Sequence, residues 1–226
     1  PRVADFPFVE DFEAGNTGQL GGYWEFHPGT RGTIRTTTSD APYSGLRHLI
    51  MQTEEQNGGT QLAILHLDLT GQTGLTLDFW HRTVGEVYNA RDDRVQISVD
   101  GATWFDIDDL RYMTDVYRHH AIDLDAVAAA NGITYGKHVQ IKFSQDNYYE
   151  RSGGFAFDMI RISNGVDVFG PSVVGQSPTG TASPPLSGMT VTFNEVIDGT
   201  TFTPADVVVT DPSGRRVPLA ASPTDS

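Results

Sequence analysis

Strict alternation of apolar and polar residues is the feature that most constrains this chain. In the segment DRVQISVDGATW, every second residue from Val95 to Val99 is apolar, which is the period of a half-buried strand. Asp100 and Gly101 then predict a tight turn, because both residue types tolerate positive φ. Trp104 opens the returning strand, so this stretch predicts a β-hairpin.

A second segment, GGFAFDMIRI, shows the same period late in the chain. Phe155 and Phe157 alternate with smaller or polar residues, and the apolar row can extend to Met159. Asp158 lies within this apolar strand, where a carboxylate is costly unless something pairs with it. The pattern therefore predicts a buried strand with one acidic residue that needs a partner.

Composition excludes several classes of function. The chain has 226 residues and a formal net charge of −14, which argues against nucleic acid and anionic membranes as partners. It has no cysteine, so disulfides, thiolate metal sites and thiol nucleophiles are impossible. No apolar run reaches the roughly 18 residues of a membrane span, so membrane insertion is not expected. The opening PRVADFPF carries no signal peptide and reads as cut from a longer parent.

The order of patterns predicts an all-β first region, residues 1–168. Short strands, for example Phe8–Glu13, Leu75–Arg82 and Phe155–Ser163, are separated by glycine-rich turn signals such as Gly153-Gly154. One short helix is expected at Asp123–Ala130, stopped by Asn131-Gly132. Many short strands without helix–strand alternation predict a two-sheet sandwich with jelly-roll topology.

The amino-acid composition changes after Val168. Residues 169–226 begin with a stiff Phe-Gly-Pro joint and a stretch rich in Pro, Ser, Thr and Gly. The segment Met189–Asp198 then alternates again, and Val207–Thr210 predicts a further strand before a turn at Asp211–Gly214. This region reads as a linker followed by part of a second β-sandwich.

Several short sequence segments of the first region resemble segments of MAM-like and reelin-like jelly rolls. Those domains are themselves similar to carbohydrate-binding modules. The segments occur in the family's order over roughly residues 5–165: Val9–Gly15, Trp24, Ala41–Leu49, Leu75–Arg82, Val95–Trp104, Ala121–Asp125, Val139–Asp146 and Gly153–Ile162. Human MAM domains carry cysteines that are missing here, so a bacterial relative is the better comparison. The tail from Pro171 resembles the start of a bacterial Ig-like domain, a type that usually acts as a spacer on exported or cell-surface proteins.

The jelly-roll resemblance implies a structural calcium ion where the first strand meets the last. The matching residues are Asp11 and Glu13, the loop at Ser44, and Asp158. Calcium takes six to eight hard oxygen ligands, several of them carboxylates. Asp11 and Glu13 would face the same side of an extended strand. The alternative is that Asp158 pairs with an arginine such as Arg47, or caps a turn at the sheet edge.

Other polar clusters carry weaker functional hypotheses. Asp106, Asp108 and Asp109 could bind a metal, but a solvated loop is the simpler interpretation. His119 and His120 are adjacent, so on a strand they face opposite sides and cannot chelate one ion together. No nucleophile elbow or zinc motif is present, and paired carboxylates for glycoside hydrolysis need no local motif, which keeps an enzyme conceivable without supporting it.

Aromatic side chains are the best guide to a ligand. Trp80 falls on the face opposite the apolar row of Leu75–Arg82, and a group of tyrosines lies in or near predicted turns, namely Tyr88, Tyr112, Tyr117, Tyr148 and Tyr149. Flat aromatic faces stack on sugar C–H surfaces while acids and amides bind the hydroxyls. The alternative is that Trp80 is buried under a crossing loop and the tyrosines cover sheet edges.

Together these patterns predict a non-catalytic extracellular binding or adhesion module, with a structural calcium, in a larger bacterial surface or secreted protein. Its partner would be a glycan or a surface protein. The alternative is a carbohydrate-binding module accessory to a secreted hydrolase.

Overall fold

Two compact units make up the chain, Pro1–Val168 and Phe169–Ser226. The computed structural model describes residues 1–53, 59–86, 93–110, 114–146, 152–165, 173–178, 188–193, 207–211 and 213–217.

The first unit is a sandwich of two antiparallel sheets. Its strands are β1 Phe8–Glu10, β2 Trp24–His27, β3 Gly32–Thr37, β4 His48–Thr53, β5 Gln61–Leu67, β6 Thr76–Glu86, β7 Arg94–Ser98, β8 Phe105–Asp109, β9 Arg118–Asp123, β10 Val139–Gln145 and β11 Ser152–Ser163. The first sheet has the order β3-β4-β11-β6-β9, with β1 also pairing β11, and the second has the order β2-β5-β10-β7-β8. The predicted all-β sandwich of jelly-roll class is confirmed.

The core lies between the two sheets and is filled by their inward rows. Phe143 of β10 meets Phe79 of β6 at 5.4 Å and Phe157 of β11 at 5.1 Å between ring centroids. These three side chains are at most 1% exposed. Because every second residue of a strand points the same way, the alternation seen in the sequence becomes this shared apolar layer.

The predicted β7–β8 turn and the predicted helix are both confirmed by backbone conformation and hydrogen bonds. Gly101 has φ 72°, and the Asp100 carboxylate accepts the amides of Ala102 and Thr103 at 2.8 and 2.7 Å, which closes the β7–β8 turn. Helix α1, Leu124–Asn131, begins after an Asp123 cap that accepts the Ala126 amide and ends at a left-handed glycine.

The predicted turn at Gly153-Gly154 is wrong. Both glycines lie within β11, paired with Thr53 and Gln52 of β4. A Cβ on Gly154 would overlap the Met51 carbonyl oxygen, so glycine permits a close approach of two backbones here rather than a reversal of the chain.

The first strand is shorter than predicted. β1 ends at Glu10, and Phe12 has φ 61°, so Asp11 and Glu13 follow the strand instead of belonging to it. Phe12 is still fully buried. The left-handed backbone keeps that ring in the core while the chain turns away from the sheet.

Near its end β11 contains a bulge that the alternation did not reveal. The register with β6 shifts between Asp158 and Arg161, and Met159 has φ 49°. The inward row therefore passes from Phe157 to the fully buried Ile160, and the predicted continuation to Met159 is wrong.

In the second unit two short antiparallel pairs are described. β12 Val173–Ser177 pairs with β13 Thr190–Phe193, and β14 Val209–Thr210 pairs with β15 Arg216–Val217. The Asp211 carboxylate accepts the Ser213 and Arg215 amides, in agreement with the predicted turn. That this unit begins an Ig-like domain stays a prediction. In neither unit does a described helix combine the length and the apolar character that a membrane crossing requires.

Candidate functional site

The outer face of the first sheet holds Trp80 and Asp158, two of the predicted site residues. Tyr88, Tyr112, Tyr148 and Tyr149 lie outside the described residues, so their ligand-binding roles stay predictions. Trp80 of β6 is paired with Asp158 of β11 on one side and with His119 of β9 on the other. Directly paired residues face the same side of a sheet, which brings these three side chains together.

Tyr43 of the β3–β4 loop, residues 38–47, stacks on Trp80. The two rings are 3.8 Å apart between centroids and inclined by 15°. The His119 ring lies 5.0 Å from Trp80, and the Tyr117 ring lies 5.6 Å from Tyr43. We call Tyr43, Trp80, Tyr117 and His119 the aromatic patch. Tyr43 covers one face of the indole and itself stays 44% exposed, so it is the outermost ring of the stack.

Tyr117 of the aromatic patch contacts His48 and Arg82. Its hydroxyl is 2.5 Å from Nδ1 of the fully buried His48, and the Arg82 guanidinium lies 5.2 Å above its ring. Burial raises the pKa of Tyr117 and lowers that of His48, so both are neutral near pH 7. Arg82 also donates to the carbonyl of Asp40, which ties the β3–β4 loop to the sheet.

An ion pair between the half-buried Arg161 and the buried Asp78 lies at the edge of the patch. Arg161 donates to Asp78 Oδ1 from Nε at 2.7 Å and from Nη2 at 2.6 Å, and His119 Nε2 is 3.3 Å from the same oxygen. The Asp78 side chain is 7% exposed and the His119 side chain 43%. Polar groups that can bind hydroxyls therefore border the exposed rings.

Two carboxylates accept hydrogen bonds from backbone amides of the β3–β4 loop. Glu13 Oε1 accepts the amides of Leu46 and Arg47 at 2.8 and 2.7 Å. Asp158 accepts the Ser44 amide at 3.0 Å and its neighbour's amide, that of Met159, at 2.8 Å. The sequence-based alternative of a pair between Asp158 and Arg47 is therefore wrong, because backbone amides take that place.

Asp158 is fully buried, and its burial raises its pKa to about 7 even though these amides favour the charged form. The negative charge of Glu13 also raises this pKa. Gly45 has φ 60°, and a Cβ there would lie 2.5 Å from Glu13 Oε1, so glycine is what lets the loop close on that carboxylate.

The other two predicted calcium ligands are placed differently. Asp11 Oδ1 accepts the Glu13 amide within its own exposed turn, at 3.0 Å. Ser44 contributes its amide to Asp158. The described residues contain no group of three or more His, Cys, Asp or Glu side chains arranged to hold a metal ion.

The acidic cluster after Trp104 is an edge strand, so the interpretation of a solvated loop is wrong. Asp106 and Asp109 lie in β8. Asp106 is bound by Arg94 at 2.9 Å and by Gln96 at 2.7 Å, whereas Asp108 is 2.6 Å from His120 Nδ1. These contacts give the carboxylates separate partners.

The two adjacent histidines face opposite sides of β9, as predicted. His119 joins the aromatic patch, while His120 stacks on Phe79 of the core at 4.7 Å and 6°.

The second sheet also has an outer face, on which Lys142 contacts Trp104. A row of one residue from each strand crosses it, formed by Glu25, Ile64, Lys142, Gln96 and Asp106. The ammonium of Lys142 lies 3.9 Å above the ring of Trp104, so a cation occupies one face of that indole.

Sequence reasoning missed Tyr43 and Glu10. Tyr43 gains its role from a strand far away in the chain, and no local pattern indicates that contact. Glu10 is 4% exposed and binds Trp24 Nε1 at 3.0 Å and the Phe12 amide at 3.0 Å. Its position in the apolar phase of β1 was the available signal, since an acid in that phase must find buried donors.

No protein-family model and no curated protein matches the chain by sequence. Several solved structures have a similar fold at low identity. The CBM22-1 xylan-binding domain of Xyn10C from Paenibacillus barcinonensis has a TM-score of 0.45 and 14% identity, over 72% of this chain and 96% of that domain. The family 30 carbohydrate-binding module of a Clostridium thermocellum cellulase has a TM-score of 0.46 and 16% identity, over 64% and 93%.

A cellulose-induced protein, Cip1, has a TM-score of 0.47 and 13% identity, over 70% of this chain and 97% of that one. The glycoside hydrolase domain structure of Endo-D from Streptococcus pneumoniae has a TM-score of 0.47 and 14% identity, over 76% and 31%. At these values the likeness concerns the fold alone, and the resemblance to MAM-like and reelin-like domains stays a prediction.

Proposed function

We propose that the first unit is a non-catalytic glycan-binding module that uses the aromatic patch. The observation that carries the proposal is the exposed Tyr43 ring, held parallel to Trp80 at 3.8 Å. A ring that is already stacked loses little conformational freedom when a sugar ring lies on it. Flat aromatic surfaces with polar groups at their edge suit the apolar faces and hydroxyls of a sugar.

The polar border supports the same assignment. The His119 side chain is 43% exposed and Arg161 is 33% exposed, while both hold the buried Asp78 carboxylate. Their orientations are therefore set before a ligand arrives.

Substitution of Tyr43 tests the proposal. The probes are soluble oligosaccharides, including xylan fragments and β-1,4-galactotriose, titrated into the full chain by calorimetry. We expect Tyr43→Ala to weaken binding by at least about tenfold, since central aromatic contacts are commonly worth 2 kcal/mol or more. The matched Tyr43→Phe keeps the ring and should bind within about threefold of the parent.

The second sheet supplies the control for location. Trp104→Ala removes the aromatic ring on that face. It should leave affinity unchanged. Loss of binding in Trp104→Ala together with full binding in Tyr43→Ala would move the glycan to the second sheet and contradict the proposed site.

We further propose that a structural calcium ion binds at Glu13 and Asp158. Hard carboxylate oxygens are what calcium prefers, and a buried carboxylate beside a second acid is stabilised by a cation. The two side chains fit this donor chemistry, and the remaining ligands would be carbonyl, hydroxyl or water oxygens. When bound, calcium would supply charge neutralisation beneath the β3–β4 loop, which these two residues already hold through its amides.

Thermal unfolding in calcium and in EGTA tests this site. Binding to the folded state alone adds about 2.7 kcal/mol when calcium is at about 100 times its Kd. Asp158→Asn should abolish the increase in melting temperature, and Asp11→Asn shows whether the third predicted ligand takes part. An unchanged melting temperature of the parent protein in the two buffers would refute the calcium site.

For the whole protein we propose an exported, multidomain bacterial context in which the second unit begins an Ig-like spacer. An adhesion module that binds a surface protein is the rival role, and it predicts no affinity for any free glycan. A hydrolytic role predicts turnover of chromogenic glycosides by the full chain, which would contradict the non-catalytic assignment.

A further inference from the structure

Three arginines lie on the outer face of the first sheet around the aromatic patch. Arg35, Ile50, Ala156 and Arg82 form one row across β3, β4, β11 and β6, and Arg161 pairs with Asp78 two residues from Trp80. In a chain with 29 acidic and 15 basic residues, three of the basic side chains share this face.

Among the described residues, two of these guanidinium groups have only neutral partners. Arg82 donates to the carbonyl oxygens of Asp40 and Thr83, and Arg35 donates to the Thr33 hydroxyl at 3.0 Å. Neither is within ion-pair distance of a carboxylate in the described ranges. A guanidinium has five donors in a planar fork that matches carboxylate and sulfate groups, so each arginine retains unused capacity for an anion.

Arg82 and Arg161 lie close to the rings that would hold a sugar. Arg35 and Arg82 both act on His48 beneath them, whose pKa is lowered by burial and by the charges of these two arginines. Arg82 is 5.2 Å above the Tyr117 ring, and Tyr117 is 5.6 Å from Tyr43. At the other side of the stack, burial raises the pKa of Tyr43, the charge of Arg161 opposes that rise, and the charge of Asp158 adds to it.

Three acids near this face already have partners. Asp78 is held by Arg161 and His119, while Glu13 and Asp158 accept amides of the β3–β4 loop. Asp40 is exposed and offers its carbonyl to Arg82. Asp78, Glu13 and Asp158 are therefore satisfied within the protein, while the Asp40 side chain is an exposed acid beside Arg82.

We propose that the aromatic patch prefers acidic glycans, with the sugar ring on Tyr43 and its carboxylate or sulfate group bound by Arg82 and Arg35. This inference rests on the proposed glycan-binding function and names the ligand class of the same site.

Matched oligosaccharides separate charge from sugar shape. The probes are β-1,4-gluco-oligosaccharides, the same oligomers oxidised to carboxylates at C6, and the same oligomers sulfated. We expect the full chain to bind one of the anionic forms at least about tenfold more tightly than the neutral form. That preference should shrink as ionic strength rises from about 0.01 M to about 1 M, where the Debye length falls from about 30 Å to about 3 Å.

Variants of Arg82 and Arg35 test whether these two residues bind the anionic group of the ligand. Arg35→Gln should reduce the preference while leaving affinity for the neutral oligomer within about threefold, and Arg82→Gln should lower affinity for the anionic oligomer more than affinity for the neutral one. Arg94→Gln, on the second sheet, is the matched control and should leave the preference unchanged. Arg82 also holds the β3–β4 loop, so a second variant of this residue is needed. Arg82→Lys keeps the positive charge without the planar guanidinium, and its binding is compared with that of the parent only if the two melting temperatures are equal.

The outcomes distinguish this inference from the proposed function. Equal binding of neutral and anionic oligomers, lost in Tyr43→Ala, overturns the preference and leaves the glycan site intact. An anionic preference that survives in the double variant Arg35→Gln/Arg82→Gln places the anion elsewhere and overturns the inference. Absence of binding to every oligomer contradicts both.

Discussion

At the scale of single residues, His81 shows how burial controls charge in this core. It is 1% exposed on the inward face of β6, and burial lowers its pKa to about 3, with the nearby His120 adding to the effect. Its Nε2 has no hydrogen-bond partner among the described residues. The folded protein therefore holds this imidazole neutral at pH values where the unfolded chain would protonate it.

His81 should make the fold sensitive to mild acid. Between the unfolded pKa of about 6.5 and the folded pKa of about 3, only the unfolded state binds the proton, so stability is lost as the pH falls through this window. The slope reaches about 1.4 kcal/mol per pH unit for one group. Urea unfolding of the parent and of His81→Leu between pH 7.5 and pH 4 measures it. Identical pH slopes in the two proteins would contradict this assignment.

Single residues also mark where sequence reasoning stops. The inward rows were predictable because alternation is a local pattern, as in the segment from Val95 to Val99. Tyr43 was not predictable, because its contact with Trp80 joins a loop to a strand distant in the sequence. Asp158 was identified from its apolar neighbours, yet the amides that bind it come from a loop and from a bulge that alternation does not encode.

At the scale of elements, β11 organises the first sheet. It pairs with β1, β4 and β6, and its bulge places Asp158 beneath the β3–β4 loop. The sequence predicted the strand but misread its two glycines as a turn, because glycine signals both reversals and close backbone approach. Whether the two glycines reverse the chain or allow two backbones to approach closely depends on the partner strand β4.

Gly154 should therefore be intolerant of any side chain. A Cβ would overlap the Met51 carbonyl and lie 2.6 Å from the Gln52 Cα, both of them backbone atoms that cannot move alone. We expect Gly154→Ala to destabilise the protein by about 1–3 kcal/mol through overpacking. Gly136→Ala, where nothing lies within 4 Å, is the matched control and should change stability by less than about 0.5 kcal/mol. Equal melting temperatures of the two variants would contradict the close approach.

At the scale of the whole molecule, the acidic chain combines a two-sheet first unit with a separate second unit. Composition predicted the β class and argued against nucleic-acid partners, because both depend on totals that the sequence states directly. It could not locate a ligand face, since the aromatic patch is assembled from two strands and two loop segments. The patch and its arginines exist only after the jelly roll has brought these segments together.

The most direct test of the account is a glycan array probed with the full chain and with Tyr43→Ala, in calcium and again in EGTA. We predict reproducible binding of the parent to one class of sugars and its loss in Tyr43→Ala. A weaker signal in EGTA would agree with a calcium ion that supports the β3–β4 loop. A blank array for the parent in both buffers, or equal binding by Tyr43→Ala, would contradict a glycan site on the aromatic patch.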